Sequence, residues 1–241
     1  MHLTEGSLGR CSLLSHDLLM HLEIKIKEEL RRYDLINQHN AEILATISPA
    51  HVADYDWLRA NLHLAETHDY QQRYRTYWGM KTAHLSYSFC DAYFNILHRH
   101  LDKTPDLGDV MIELYKIPTH RNGRRSLQFS FATKLLHTIN NNTPIYDSRV
   151  AQFYSLKKSK WKPIKHRIAD FVEFYQFLQT EYRRIIALDL LGPSILAFRH
   201  TFHPQYFTDE KVIDSLIWGY IQSGGIINGP VYCSHSSTFL R

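Results

Sequence analysis

The chain has 241 residues, 44% hydrophobic, 13% aromatic and 22% charged, with a formal net charge of +4. That supplies apolar material for one large domain or two small ones and excludes a disordered protein. No apolar run approaches the roughly 18 residues that span a bilayer, and Met1 to Arg10 lacks the apolar run of a signal peptide. Cys11, Cys90 and Cys233 lie too far apart for zinc or iron–sulfur spacing. The expectation is a cytoplasmic protein with no metal, no cofactor and no membrane contact.

Ten Gly and eight Pro are few for this length and favour helices. Residues 1–15 carry little pattern. Leu18, Leu19, Leu22, Ile26 and Leu30 have helical spacing and predict a helix over 16–37. A second short helix is predicted over 40–47, ended by Ser48-Pro49, and a third over 54–64 with Trp57 facing inward. Residues 69–101 read as one long helix with a broad aromatic face. That stripe reads first as core, and Tyr77 and Trp78 are also candidates to stack on a nucleobase.

Thr104-Pro105-Asp106 opens a helix to about Lys116, with the Pro placed just inside its start. Residues 119–125 form a turn holding Gly123 with Arg121, Arg124 and Arg125, and a helix is predicted over 126–139. Asn140 to Pro144 is a loop, and Asp147 stands where an N-cap belongs, opening a helix through Val150, Phe153 and Tyr154. Residues 157–167 are a basic loop around Trp161. Helices follow over 168–191, closed by Gly192-Pro193, then 194–202 and 209–223, before an irregular tail. The sum is an all-α bundle of about nine or ten helices, read as a single domain with two lobes, 16–105 with 165–223 and 106–164.

Charge is unevenly spread. Between Leu114 and Ala169 stand twelve Lys and Arg against one acid, Asp147, so the rest of the chain is net acidic. A cationic stretch with clustered lysines and a tryptophan is a nucleic-acid edge in composition. Taken singly, Asp147 is an ordinary helix cap, Lys134 a solvated helix residue, and His120 and His137 structural or phosphate-contacting groups.

Helix, basic turn, helix with Ser130-Phe131-Ala132 near its start, loop, then Pro144-Ile145-Tyr146-Asp147-Ser148-Arg149-Val150 resembles the core of the helix-hairpin-helix DNA glycosylase superfamily, in the branch with the 8-oxoguanine-glycosylase-like fold. The match covers residues 106–156. The family's glycine-rich hairpin is represented here by Gly123 alone, so Arg121, Arg124 and Arg125 would take over phosphate contact. The resemblance implies a glycosylase-like bundle that binds double-stranded DNA and excises a modified or damaged base after flipping it out. Asp147 would be the catalytic carboxylate, stabilising the cationic sugar or activating water. The position of the family's nucleophilic lysine falls on Ser130, which implies monofunctional chemistry, and Lys134, one turn on, is the alternative amine for a bifunctional glycosylase/lyase. Gly123, Ser130, Arg149, Lys157, Lys158, Lys160 and Lys162 join Arg121, Arg124 and Arg125 in the DNA-binding set, and Tyr77, Trp78, Trp218 and Tyr220 are the candidate base pocket. Small bacterial proteins of this general type include some that act against phage DNA with modified bases, so the resemblance implies phage defence as a role beside repair. Two other classes stay open: a non-catalytic helical nucleic-acid binder, and a helical interaction protein whose basic face meets an acidic partner.

Overall fold

The computed structural model describes residues 16–156 and 162–225, with side chains from residue 27 onward. The described residues form eleven α-helices: α1 (His16–Gln38), α2 (Asn40–Ala45), α3 (Pro49–Ala60), α4 (His68–Tyr77), α5 (Tyr87–Arg99), α6 (Leu107–Tyr115), α7 (Phe129–Ile139), α8 (Ser148–Phe153), α9 (Ile164–Ala187), α10 (Gly192–Phe202) and α11 (Asp209–Gln222). They contain no strand, only an isolated bridge between Leu85 and His120, and no single helix among the described residues is long and apolar enough to cross a membrane. The all-α bundle predicted from periodicity is therefore the fold.

Helix starts follow capping chemistry. Ser86 Oγ accepts the Phe89 N–H ahead of α5, Asp106 Oδ1 accepts the Asp109 N–H ahead of α6, and Thr208 Oγ1 accepts the Lys211 N–H ahead of α11. Pro49 sits in the first turn of α3, where its missing N–H is harmless. Pro105 lies outside α6, because Asp106 takes the cap position. The segment predicted as 54–64 is α3 from Pro49, followed by a separate 3-10 turn over Leu62–Leu64. Gly192-Pro193 does not close α9; the pair opens α10, with Pro in its first turn.

The largest departure is at 69–101, which is two helices and not one. The chain leaves α4 at Trp78, Gly79 takes φ +70, and His84 takes φ +50 before Ser86 caps α5. A residue without Cβ tolerates that left-handed backbone. The break frees the Trp78 carbonyl, which a continuous helix would spend on the N–H four residues on. Likewise the helix predicted from 126 begins at Phe129. Ser126 N donates to Thr119 Oγ1 and the Thr119 hydroxyl donates back to the Ser126 carbonyl, closing a small loop that holds 126–128 out of the helix.

α11 is the central helix. Val212 to Ile217, Gly219 and Tyr220 are all buried, and α1, α2, α8, α9 and α10 pack around it. One continuous apolar cluster runs through both lobes expected from the sequence, from Tyr33 and Ile43 through Leu135 and Phe153 to Ile217. At the α2–α11 crossing, a Cβ added to Gly219 would lie 2.9 Å from Ile43 Cγ2 and 3.1 Å from the Ile43 carbonyl oxygen. Across the bundle, Tyr33 in α1 donates to Glu181 Oε1 of α9 at 2.6 Å, and Arg184 holds the same carboxylate with two hydrogen bonds. Glu181 is thus buried with its charge matched.

Replacing Gly219 by Val forces α2 off α11. The variant is expected to lose about 1–3 kcal/mol of stability, read as a lower denaturant midpoint. An unchanged midpoint would show that the two helices do not meet this closely.

Candidate active site

Four elements converge on one polar cluster: the end of α4, the middle of α7, the start of α8 and one face of α11. Asp147 caps α8. Its Oδ1 accepts the N–H groups of Arg149 and Val150, each at 2.9 Å, and its other oxygen accepts no hydrogen bond among the described residues. The carboxylate is half-buried. Its place is fixed one residue earlier, where the Tyr146 N–H donates to the buried Thr133 hydroxyl at 3.0 Å. Thr133 precedes Lys134 in α7, so this rung ties the cap of α8 to the helix that carries Lys134.

Lys134 turns its amine inward. Nζ donates to the freed Trp78 carbonyl at 3.2 Å and lies 5.1 Å from the Phe131 ring centroid and 5.6 Å from that of Trp78. It makes no ion pair among the described residues. Burial pushes its pKa down. The charges of Asp147 and Asp214 oppose that shift from a distance, and Lys211 adds to it.

α11 supplies Lys211, Asp214 and Trp218, which share a face at i, i+3 and i+7. Lys211 Nζ donates to Asp214 Oδ2 at 2.9 Å, with both side chains almost wholly buried. That ammonium lies 5.4 Å from the Tyr55 ring centroid and 5.5 Å from that of Trp78. Burial raises the Asp214 pKa, Lys211 opposes this, and Asp147 adds to it.

Towards the surface the cluster meets an aromatic column. The exposed His51 stacks on half-buried Tyr77 at 4.2 Å and 14°. It lies nearly parallel to Trp218, 6.5 Å away at 12°. Arg149 lays its guanidinium 3.6 Å from the Trp218 ring centroid and donates to Gln222 Oε1 at 2.7 Å. Although the residue is partly open to solvent, packing of its ring against Tyr77 desolvates it, and with the charge of Lys211 this lowers the His51 pKa to about 4. His137 is a structural residue. Its Nδ1–H donates to the Thr143 carbonyl, so Nε2 is the acceptor for the Tyr55 hydroxyl, both at 2.6 Å. Burial lowers its pKa to about 3.

Of the residues singled out in the sequence, the structure brings together Asp147, Lys134, Tyr77, Trp78, Trp218 and Arg149. Ser130 stands one turn before Lys134 on α7, half-buried. Trp78 is 8% exposed, so it is a wall under the two lysines and not an open stacking surface. Tyr220 is buried edge-on against Phe153; two positions along the helix from Trp218, it points about 200° away. Arg121, Gly123, Arg124 and Arg125 form an exposed turn, with Arg121 over Tyr87, and none of them touches the cluster. Lys162 pairs with Asp170 at 2.8 Å. Lys157, Lys158, Lys160 and Trp161 lie outside the described residues.

Lys211, Asp214, His51 and Tyr55 were missed in the sequence. A lysine and an aspartate three apart, set among Val212, Ile213, Leu216 and Ile217, were the available signal for the first two. A groove of about 830 Å³ between α2 and α10, lined by Leu44, Ile47, Pro49, Leu196 and Phe202 among others, shares no residue with the cluster. No group of three or more His, Cys, Asp or Glu among the described residues is placed to hold a metal ion. Comparisons with protein-family models, with curated proteins and with solved structures found no match.

His137 gives the site a pH signature. Below its ordinary value of 6.5 the unfolded chain takes up a proton that the folded state refuses until about pH 3. Stability is then lost as pH falls through that window, on the order of a few kcal/mol at its acid end. His137→Gln is expected to flatten the fall in melting temperature between pH 6.5 and 3. An equally steep fall in the variant would assign the acid sensitivity to other groups.

Proposed function

We propose that this protein is a DNA N-glycosylase acting on a modified or damaged base turned out of the duplex. The observation that carries this reading is Asp147, a capped carboxylate whose second oxygen accepts no hydrogen bond among the described residues, within electrostatic reach of the Lys134 amine on the neighbouring helix. The resemblance of residues 106–156 to the helix-hairpin-helix glycosylases supports it, as does the cationic stretch from Leu114 to Ala169. As the glycosidic bond breaks, positive charge builds on the sugar. A carboxylate held rigid by two backbone N–H groups stabilises that charge without reorganising, or takes a proton from the attacking water. The His51–Tyr77 stack and the Trp218 ring offer a face to a flipped base. Phosphate contact through Arg121, Arg124 and Arg125 would offset the cost of unstacking.

A second reading is favoured by one specific observation: half-buried Lys134 packs its amine near the Trp78 and Phe131 rings and makes no ion pair among the described residues. A lysine in that state yields its proton more readily than an exposed one. Its amine would attack C1′, the base would leave with the bonding electron pair, and the strand would then be cut from the imine. Ser130, at the family's nucleophile position, is compatible with the hydrolytic course, so the two readings divide on Lys134 alone.

A panel of duplexes carrying damaged bases and phage-type modified bases separates the possibilities. Base release is expected on at least one of them, and Asp147→Asn should slow it by about 10²-fold or more while the melting temperature holds, because Asn still caps a helix. Borohydride trapping of a covalent protein–DNA adduct, lost in Lys134→Gln, would establish lyase chemistry; abasic sites cut only by alkali would establish hydrolysis. Salt-dependent binding with no base released from any duplex would leave a nucleic-acid binder and end the enzyme reading.

A further inference from the structure

Lys134 and Lys211 lie near the same indole, yet only one of them is paired. Each ammonium is within 5.6 Å of the Trp78 ring centroid. Lys211 reaches Asp214 at 2.9 Å, whereas Lys134 reaches only a carbonyl oxygen. Both members of the pair are charged groups in a helix whose neighbouring positions, Val212, Ile213, Leu216 and Ile217, are buried and apolar. A buried ion pair seldom adds stability over apolar packing of the same shape. Its position at the indole that Lys134 also approaches gives it another use.

We propose that Lys211 and Asp214 form a positioning pair: Lys211 occupies the Asp214 carboxylate and so keeps Lys134 without a counter-ion, holding its amine in the reactive state. This deepens the reading of Lys134 as the nucleophilic amine and rests on it. The groups acting on that amine come from each element around it. Asp147 acts from the cap of α8, Lys211 and Asp214 from α11, and the Trp78 carbonyl from the end of α4. His51 and His137 are neutral at pH 7, with values lowered to about 4 and about 3, and Tyr55 and Tyr77 are driven further from ionisation by burial. The two aspartates and Lys211 are therefore the charges that set the proton affinity of Lys134. Losing Lys211 frees the Asp214 charge to hold a proton on Lys134. Losing the Asp214 charge leaves Lys211 as an unopposed like charge and loosens that proton.

The experiment uses the whole protein without DNA, so it stands or falls separately from base excision. Trace acetylation with acetic anhydride across a pH series, quantified by mass spectrometry on the Lys134 peptide, gives the titration midpoint of the amine, with exposed Lys103 as control. The wild-type midpoint should lie below that of Lys103. Lys211→Met should raise it by about one pH unit and Asp214→Asn should lower it by a similar amount, while Lys103 stays put. The double variant Lys211→Met/Asp214→Leu, which replaces the pair by apolar side chains, should fold and return Lys134 close to its wild-type midpoint. Where one single variant does not fold, the other is compared with the double variant, and the same directions are required. A role in packing alone would move neither midpoint, or would move both the same way; either result overturns the proposal.

Discussion

The amide of Tyr146 donates to the hydroxyl of Thr133, and that buried hydroxyl donates in turn to the Ser130 carbonyl. This rung ties the loop after α7 back onto the helix it has just left. A second tie runs beside it, from the imidazole of His137 to the Thr143 carbonyl. Together they leave the chain no latitude over residues 143–147, so α8 starts at one place and Asp147 faces one way. Removing the hydroxyl would strand a buried amide, a penalty of about 1–3 kcal/mol. It would also release the register between the carboxylate and the amine, which is the larger loss for any chemistry there.

Around that fixed point the protein places an unusual amount of charge inside an aromatic shell. Tyr55, Trp78 and Phe207 surround Lys211, and Phe131 and Trp78 flank Lys134. Ring faces suit ammonium groups because they attract cations while excluding water. The dry environment strengthens every charge–charge interaction in the cluster. The state of each lysine depends strongly on the charges placed around it. Two lysines near one indole can therefore differ in chemistry although their surroundings are nearly shared.

Much of the arrangement could be read from the sequence where the signal was local. Asp147 as a cap needed only its neighbours, the extended Ile145-Tyr146 before it and the periodic Val150 and Phe153 after it. The break between α4 and α5 was hidden because the apolar period resumes after it almost in phase, and a lone Gly79 reads as a tolerated helix glycine. Arg121, Arg124 and Arg125 were conspicuous as a cluster, but whether a turn sits over a site is a property of packing, and it touches none of the cluster residues. Lys211 and Asp214 were passed over because charged residues three apart on a helix are usually a solvated face. Only the burial of the run from Val212 to Ile217 on α11 reveals them as interior.

The interruption after α4 has one more consequence. The oxygen that holds the Lys134 amine belongs to a residue 56 positions earlier in the chain, at the edge of an elbow built on Gly79 and His84 with left-handed backbones. Such geometry is demanding for any residue with a side chain. The temperament of the amine is thus inherited from a distant bend, and drift in that bend would retune Lys134 without altering a single atom of the lysine itself.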